Sequence, residues 1–412
     1  MPNRPAPNQK NGAKTDNSRP DPIGDPIGMY DLVIIGGGPA GSAAGRLAGN
    51  TGLKTLLIEK DLFPRYKPCG GAFSERAMSY LDFAIPYYVQ ERNIFGARVH
   101  FKDYSIETHK EYRIATLVTR SVLDNYLLEK AKETGIEIRM GEKVISLTEE
   151  DEHVEIYTEL GAYKARFVIL AEGARGELKN QIRREDKKNE YALCLVTEIE
   201  EENKRIEEYI HDSIEIYFGL FNRGYGWIFP HEKYFSVGVG GLASNFANPK
   251  KTMIDFLNLH GFSGEYRLKG HLLPLGGIER KTVSSRVVLS GDAAGFVDAF
   301  YGEGMAYAIR SGQLAVEVIS RILNNGLGAL KDYESMCRTE FGENLKYSLM
   351  LSRVMYRFPG IFFKIFTTCE EVLDKYLEVP AAKRTYRSYM KWLIPRVPKF
   401  LLLKSSIEGM PT

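Results

Sequence analysis

The spacing of apolar positions changes several times along this chain. "YDLVIIGGGPAGSAAGRLAGNTGLKTLLIEK" opens on an apolar run over residues 31–35, the pattern of a parallel strand covered on both faces. A glycine turn, a helix and a second apolar strand ending at Glu59 follow. Much later, "SIEIYFGLFN" and "GYGWIFPHEKYFSVGVG" alternate instead, which predicts half-buried strands with Tyr225, Trp227 and Phe229 on one face. "VVLSGDAAGFVDAFYGEGMAYAIRSGQLAVEVI" reads as a short buried strand from Val287 to Ser290, a loop with Gly302 and Gly304, and a long helix. From about Glu334 the chain turns apolar and aromatic with interspersed Lys and Arg. No apolar run reaches the roughly 18 residues of a spanning helix.

Composition narrows the classes. The first 28 residues are rich in Pro, Asn and Gly, carry "DPIG" twice and lack an apolar signal core, so a disordered tail is expected, with Met29 an alternative start. A net charge of +2 over 412 residues points to no nucleic acid or acidic substrate. Four scattered cysteines form neither a disulfide framework nor a metal site, which fits a reducing cytosol. The seven histidines show no ligand spacing, and no metal is expected.

Gly36, Gly38 and Gly41 make G-x-G-x-x-G between strand and helix: a tight turn, a close approach for a pyrophosphate, and helix–strand packing. The helix N-terminus then offers N–H groups to phosphate, and Glu59 lies where an acid accepts from a ribose hydroxyl. "FSVGVGGLAS" imitates the motif in Gly238 and Gly240. Its glycines lie inside a strand, thinned so that a ligand lies close, and no second nucleotide fold for NAD(P)H is expected.

The segment from Val287 resembles the second FAD fingerprint of the flavoproteins that include aromatic hydroxylases. The resemblance implies FAD, with Asp292 at the ribityl or pyrophosphate and Gly304 and Met305 beside the ring. "TLVTRSVLDNYLLEKAKETGIEIRMGEKVISL" resembles the same family's R-x-x-x-D-x-x-L helix and following strand. By it Arg120 touches the cofactor and the Val144 backbone contacts adenine. "FVILAEGARG" resembles a further turn of the family, with Glu172 where aspartate is more usual.

"PRYKPCGGAF" resembles one branch in particular, the geranylgeranyl (polyprenyl) reductases, as does the Y-x-W-x-F-P of Tyr225, Trp227 and Phe229, which lines that family's lipid pocket. The implied fold is α/β: a Rossmann-like, hydroxylase-like FAD-binding domain over 29–78, 117–176 and 284–322, and an antiparallel-sheet substrate domain over 79–116 and 177–283. A helical, basic, membrane-facing region over 323–412 completes it. Cys69, Gly70 and Ala72 lie at the flavin, Gly71 at the substrate, and Cys69 or a water is the implied proton donor.

The implied activity is FAD-dependent saturation of prenyl C=C bonds in a membrane lipid, chlorophyll precursor or quinone. A flavin hydroxylase or halogenase, and a non-enzymatic prenyl escort, are the alternatives. The electron donor stays open between NAD(P)H, ferredoxin and a reduced quinone. Seven basic and no acidic residues between Lys383 and Lys404, interleaved with Tyr386, Tyr389, Trp392, Leu393 and Phe400, predict docking on an anionic membrane or a cap over the substrate channel. A cytoplasmic, peripherally membrane-associated enzyme is the resulting expectation.

Overall fold

The computed structural model describes residues 28–262 and 264–400; the expectations for the tail up to residue 27 and for residues from 401 onward fall outside them. The apolar run becomes strand Tyr30–Ile35, buried at every position but Asp31. It pairs in parallel with Thr55–Glu59 on one side and Ala162–Leu170 on the other. Glu137–Met140 extends the sheet beyond Thr55–Glu59. On its other edge the nine-residue strand Ala162–Leu170 serves two further neighbours. Its first half pairs antiparallel with Val154–Thr158 and its second half parallel with Val287–Leu289. Strand and glycine turn from both ends of the sequence thus meet in one sheet.

Two helices that start at those turns, Pro39–Asn50 and Met305–Asn325, pack directly on each other. At Gly312 a Cβ would lie 2.3 Å from the Ala40 carbonyl oxygen, so backbone meets backbone there. Helix Arg120–Lys132 packs on Pro39–Asn50 from another side.

The alternating segments form a second seven-stranded sheet, in the order 269–274, 191–200, 234–242, 224–230, 213–218, 96–101, 104–109. All pairs are antiparallel except 213–218 with 96–101. A third, small sheet pairs Ala72–Ser74, Ala115–Leu117 and Arg92–Ile94.

The C-terminal helices Glu343–Arg357, Pro359–Phe366, Glu370–Leu377 and Tyr386–Leu393 share a core with this second sheet. Val99, Phe101 and Phe218 of the sheet meet Phe362, Phe363, Phe366 and Tyr376. Tyr386, Tyr389, Leu393 and Phe400, expected either at a membrane interface or in a cap over the substrate channel, are buried in that core, and Trp392 is half-buried. Positions 386, 389 and 393 fall on one helix face, and that face is turned inward. These aromatics belong to a cap. Among the described residues no helix is long and apolar enough to cross a membrane.

Candidate functional site

The first turn is closed by backbone contacts. Gly36 has φ +106°, and a Cβ there would sit 2.5 Å from the Ala171 carbonyl oxygen; at Gly41 it would sit 1.8 Å from that of Gly36. Gly38 caps helix Pro39–Asn50 without any side-chain acceptor, which leaves its first-turn N–H groups to an incoming anion. Glu59 is buried at the end of its strand. Its Oε2 accepts from the Gly37 N–H at 2.6 Å and its Oε1 from Asp61 at 2.9 Å. Each carboxylate oxygen has a second lone pair for a ribose hydroxyl. Val144 begins a strand two residues after Glu142, whose N–H donates to the Glu59 carbonyl at 3.1 Å. The sheet therefore holds Val144 at the Glu59 end of the turn.

The second fingerprint lies against the first. A Cβ on Gly291 would be 3.2 Å from the Ala40 Cβ, and one on Gly304 3.3 Å from Asp292 Oδ1. Gly304 caps helix Met305–Asn325 with no side-chain acceptor, so two uncapped helix N-termini belong to this region. Asp292 lies 3.6 Å from His271 Nε2. Burial alone would raise its pKa, but His271, Lys67 and Arg120 outweigh it and hold the carboxyl below its usual range. Burial lowers the pKa of His271, and likewise that of Lys67, whose ammonium Asp292 partly supports.

Arg120 donates to both oxygens of the fully buried Asp124, at 2.7 and 2.8 Å, with Cys69 in its surroundings. Arg65 also pairs with Asp124 at 3.0 Å, yet its Nη1 is buried with no well-aligned acceptor among the described residues. Its Nη2 lies 3.7 Å from where a Cβ on Gly38 would stand. An under-satisfied guanidinium at an uncapped helix N-terminus fits a pyrophosphate, and these residues fit FAD. Sequence reasoning singled out neither Arg65 nor Lys67, although both stand in the "PRYKPCGG" stretch that it quoted.

The same stretch links cofactor and substrate sides. Cys69 Sγ accepts from the Gly71 N–H at 3.4 Å. A Cβ on Gly70 would meet Phe229 Cε2 at 2.8 Å and Trp227 Nε1 at 3.2 Å, so the loop rests on the aromatic strand Gly224–Pro230. Gly71 has φ +83°, and its missing side chain leaves room for His231 Cε1 and the Val118 carbonyl, each 2.6 Å from the would-be Cβ. His231 is buried, with Nε2 3.0 Å from the Gly70 carbonyl and Nδ1 2.7 Å from Glu91 Oε2. Ala72 opens the third sheet opposite Leu117.

Tyr225, Trp227 and Phe229 form one row, with ring centroids 6.1 and 6.3 Å apart. The glycines opposite are closely approached by protein side chains. A Cβ on Gly238 would strike the Trp227 indole at 2.1 Å, and one on Gly240 the Cys194 sulfur at 2.7 Å. Gly238 thus makes room for the protein itself, while Gly240 also lines the cavity beside Tyr225. Glu172 also turns away from the cofactor turn. Its oxygens accept from Leu178 and Lys179, capping a short helix.

Of the aromatic row, Tyr225 lines a cavity of about 110 Å³ between the second sheet and helix Glu343–Arg357. Its hydroxyl donates to the Tyr301 carbonyl at 2.6 Å. Cys194, Leu273, Gly302, Asp298 and Tyr356 contribute to the same wall. Gly302 belongs to the loop that carries Asp292 and Gly304, so the cavity reaches the second fingerprint.

Residues 29–239, just over half of the chain, match the family model described as FAD binding domain. A digeranylgeranylglycerophospholipid reductase of Methanococcus aeolicus is 28% identical over 398 residues, 90% of this chain and 96% of that protein. A menaquinone reductase of Mycobacterium tuberculosis is 28% identical over 317 residues, 70% and 76% of the two chains. A geranylgeranyl bacteriochlorophyll reductase-like protein of Thermoplasma acidophilum shares the fold, with a TM-score of 0.75 at 22% identity, covering 90% of this chain and 98% of that one.

Proposed function

Since the chain belongs to the FAD binding domain family, in its geranylgeranyl reductase branch, we propose that it saturates C=C bonds of a prenyl chain held in the cavity beside Tyr225. The observation that carries this reading is the course of one loop. Cys69 stands near the cofactor-side Arg120 and accepts from the Gly71 N–H, while Gly70 rests on Trp227 and Phe229. Bound and reduced, FAD supplies a hydride to one alkene carbon. Asp292, Glu59, Arg65 and the two uncapped helix N-termini would hold the cofactor, with Arg120 near Cys69. The C-terminal cap excludes water from the cavity, and a protonated group on this wall completes the reduction, for which Cys69 is one candidate.

A halogenase reading is disfavoured by the sequence of the aromatic strand, Gly224–Pro230, which lacks W-x-W-x-I-P. An escort reading requires a chain without flavin. The electron donor in this proposal is NAD(P)H, ferredoxin or a reduced quinone, and the substrate is a prenylated lipid, pigment or quinone. The protein docks peripherally on a membrane through exposed apolar residues at the end of helix Glu343–Arg357, beside the cavity.

Purified protein reconstituted with FAD, reduced with dithionite without oxygen and mixed with prenyl lipids, tests the activity. The expected result is product heavier by 2 Da per bond in mass spectra, with reoxidation of the yellow flavin. A colourless protein, or a flavin that reoxidises with no change in lipid mass, overturns the reading.

A further inference from the structure

Of the seven histidines only His231 is buried, and both of its nitrogens face acceptors. Nε2 meets the Gly70 carbonyl at 3.0 Å, which has no proton to give, and Nδ1 meets Glu91 Oε2 at 2.7 Å. Burial alone would raise the Glu91 pKa, but His231, the Thr119 hydroxyl and the Glu232 backbone outweigh it and hold the carboxyl below its usual range. Glu91 is therefore a carboxylate, and the ring fits both neighbours only as an imidazolium, with a proton on each nitrogen. The Tyr234 ring, stacked on the imidazole at 4.2 Å and 11°, offers that cation its π face.

The ring is anchored from several elements. Thr119 gives its one hydroxyl proton to Glu91 Oε1, so the Tyr234 hydroxyl donates to Thr119 Oγ1 at 2.7 Å and closes a circuit of hydrogen bonds beside the imidazole. The His231 N–H donates to the Tyr234 carbonyl at 2.9 Å, which sets the turn between strands Gly224–Pro230 and Tyr234–Leu242. Glu198, on strand Tyr191–Glu200, is the second carboxyl that acts with the ring; burial raises its pKa, while His231 and the Tyr66 hydroxyl oppose the rise. Glu232 and Lys233, the next residues in the turn, are exposed.

What the imidazolium holds is a single peptide unit. Its carbonyl end, at Gly70, accepts from His231, and its N–H end, at Gly71, donates to Cys69 Sγ at 3.4 Å. With glycine on both sides, no Cβ opposes rotation of that unit. We infer that His231 is a positioning residue: held by Glu91, its imidazolium fixes the Gly70–Gly71 peptide, and through it the Cys69 sulfur. A ring with one proton keeps it at Nδ1 for the short, charge-assisted bond to Glu91, and turns a bare Nε2 on the Gly70 oxygen. Two lone pairs then face each other, the peptide rotates away, and Sγ loses its donor. The clamp stands on these hydrogen bonds; its consequence for catalysis rests on the prenyl-reductase reading.

Nitrogen NMR of the FAD-loaded full chain with isotope-labelled histidine reads the protons directly, the His231 signals being identified by their loss in His231→Gln. Two protonated ring nitrogens at about pH 6, and one, Nδ1, at about pH 8.5, are expected. Deuterium exchange over residues 68–72, read by mass spectrometry, follows the peptide. Glu91→Gln keeps the clamp without its titration, because the amide N–H donates to Nδ1 and leaves the ring proton on Nε2, facing Gly70. Near pH 6 the wild type and Glu91→Gln should exchange alike. Near pH 8.5 the wild type should exchange roughly tenfold faster, a comparison at equal pH that cancels the intrinsic rate. His231→Ala should exchange fast at both, and its kcat for prenyl reduction should fall about tenfold with little change in KM. Since Glu91→Gln is isosteric, the exchange comparison stands even where His231→Ala does not fold. A single protonated nitrogen near pH 6, parallel exchange of wild type and Glu91→Gln at both pH values, or an unchanged kcat in His231→Ala overturns the inference. Clamp signals as expected in a chain that reduces no prenyl lipid uphold the clamp and overturn the reductase reading alone.

Discussion

Asp298 stands six residues after Asp292 in the same loop, yet its situation is the opposite. Asp292 is supported by cations, whereas Asp298 has one oxygen on two backbone N–H groups and the other, Oδ2, buried without a well-aligned donor. Burial pushes its pKa from 3.8 up to about 7, and the nearby Glu303 adds to this, while the Tyr386 hydroxyl and the two N–H groups pull the other way. Below pH 4 the folded and unfolded chains both hold this proton. Between about pH 4 and 7 the unfolded chain releases it and the folded chain keeps it, so stability falls as pH rises. The loss reaches at most about 4 kcal/mol, since one pKa unit is worth about 1.4 kcal/mol. Asp298→Asn keeps the acceptor for Phe300 and Tyr301 and removes the titration. Its melting temperature should therefore gain on the wild type from pH 4.5 to pH 7.5, and parallel curves would contradict the assignment. Glu59 was singled out by its distance from a glycine turn, Asp292 by the second fingerprint and Arg120 by the R-x-x-x-D-x-x-L pattern, all signals local in sequence. Asp298, Arg65 and His231 were not, because what marks them is burial and the partners, present or missing, set by segments far away in sequence.

Elements built from local signals were read well, and their mutual arrangement less so. Strand, turn and helix around Gly36 and around Asp292 follow from apolar runs and glycine spacing alone. That helices Pro39–Asn50 and Met305–Asn325 touch through Gly312 depends on the sheet bringing residues 30–35 and 287–289 to either side of 162–170. The parallel pairing of 213–218 with 96–101 has no signature in either segment. Gly312→Val tests the helix contact. The new side chain must displace backbone at Ala40, which shifts one cofactor-facing helix end relative to the other. Loss of FAD on gel filtration and a lower melting temperature are the expected outcomes. Gly326→Ala, in open space at the end of the same helix with φ +64°, should keep FAD and cost only about 1 kcal/mol. FAD retained by Gly312→Val would show that this contact does not set the site.

At the scale of the whole molecule, the proposed membrane face moves. The aromatic residues after Lys383 looked interfacial because composition does not reveal which side of a helix faces inward, and the structure buries them. Exposure is found instead at the corner after Glu343–Arg357, where Met350, Val354, Phe358 and Ile361 are each 40–52% exposed. Residues 344–369 carry four basic side chains and no acidic one. Arg357 lies over the Phe358 ring at 5.3 Å, and Arg353 belongs to the cavity mouth. An apolar tip ringed by cations, next to the cavity proposed for the prenyl chain, suits an anionic bilayer. Three or four cations near such a surface are worth on the order of 3 kcal/mol, roughly a hundredfold in partition. The protein should therefore float with phosphatidylserine-containing vesicles at low salt, float weakly with phosphatidylcholine alone, and be released at high salt. Val354→Glu/Phe358→Glu should abolish flotation, because it places two anions where apolar side chains would enter the headgroups, and should leave FAD bound. Flotation retained by that variant but lost in Lys391→Glu/Lys399→Glu would return the docking face to the C-terminal segment. A chain that floats with neither vesicle would leave its substrate to arrive through solution.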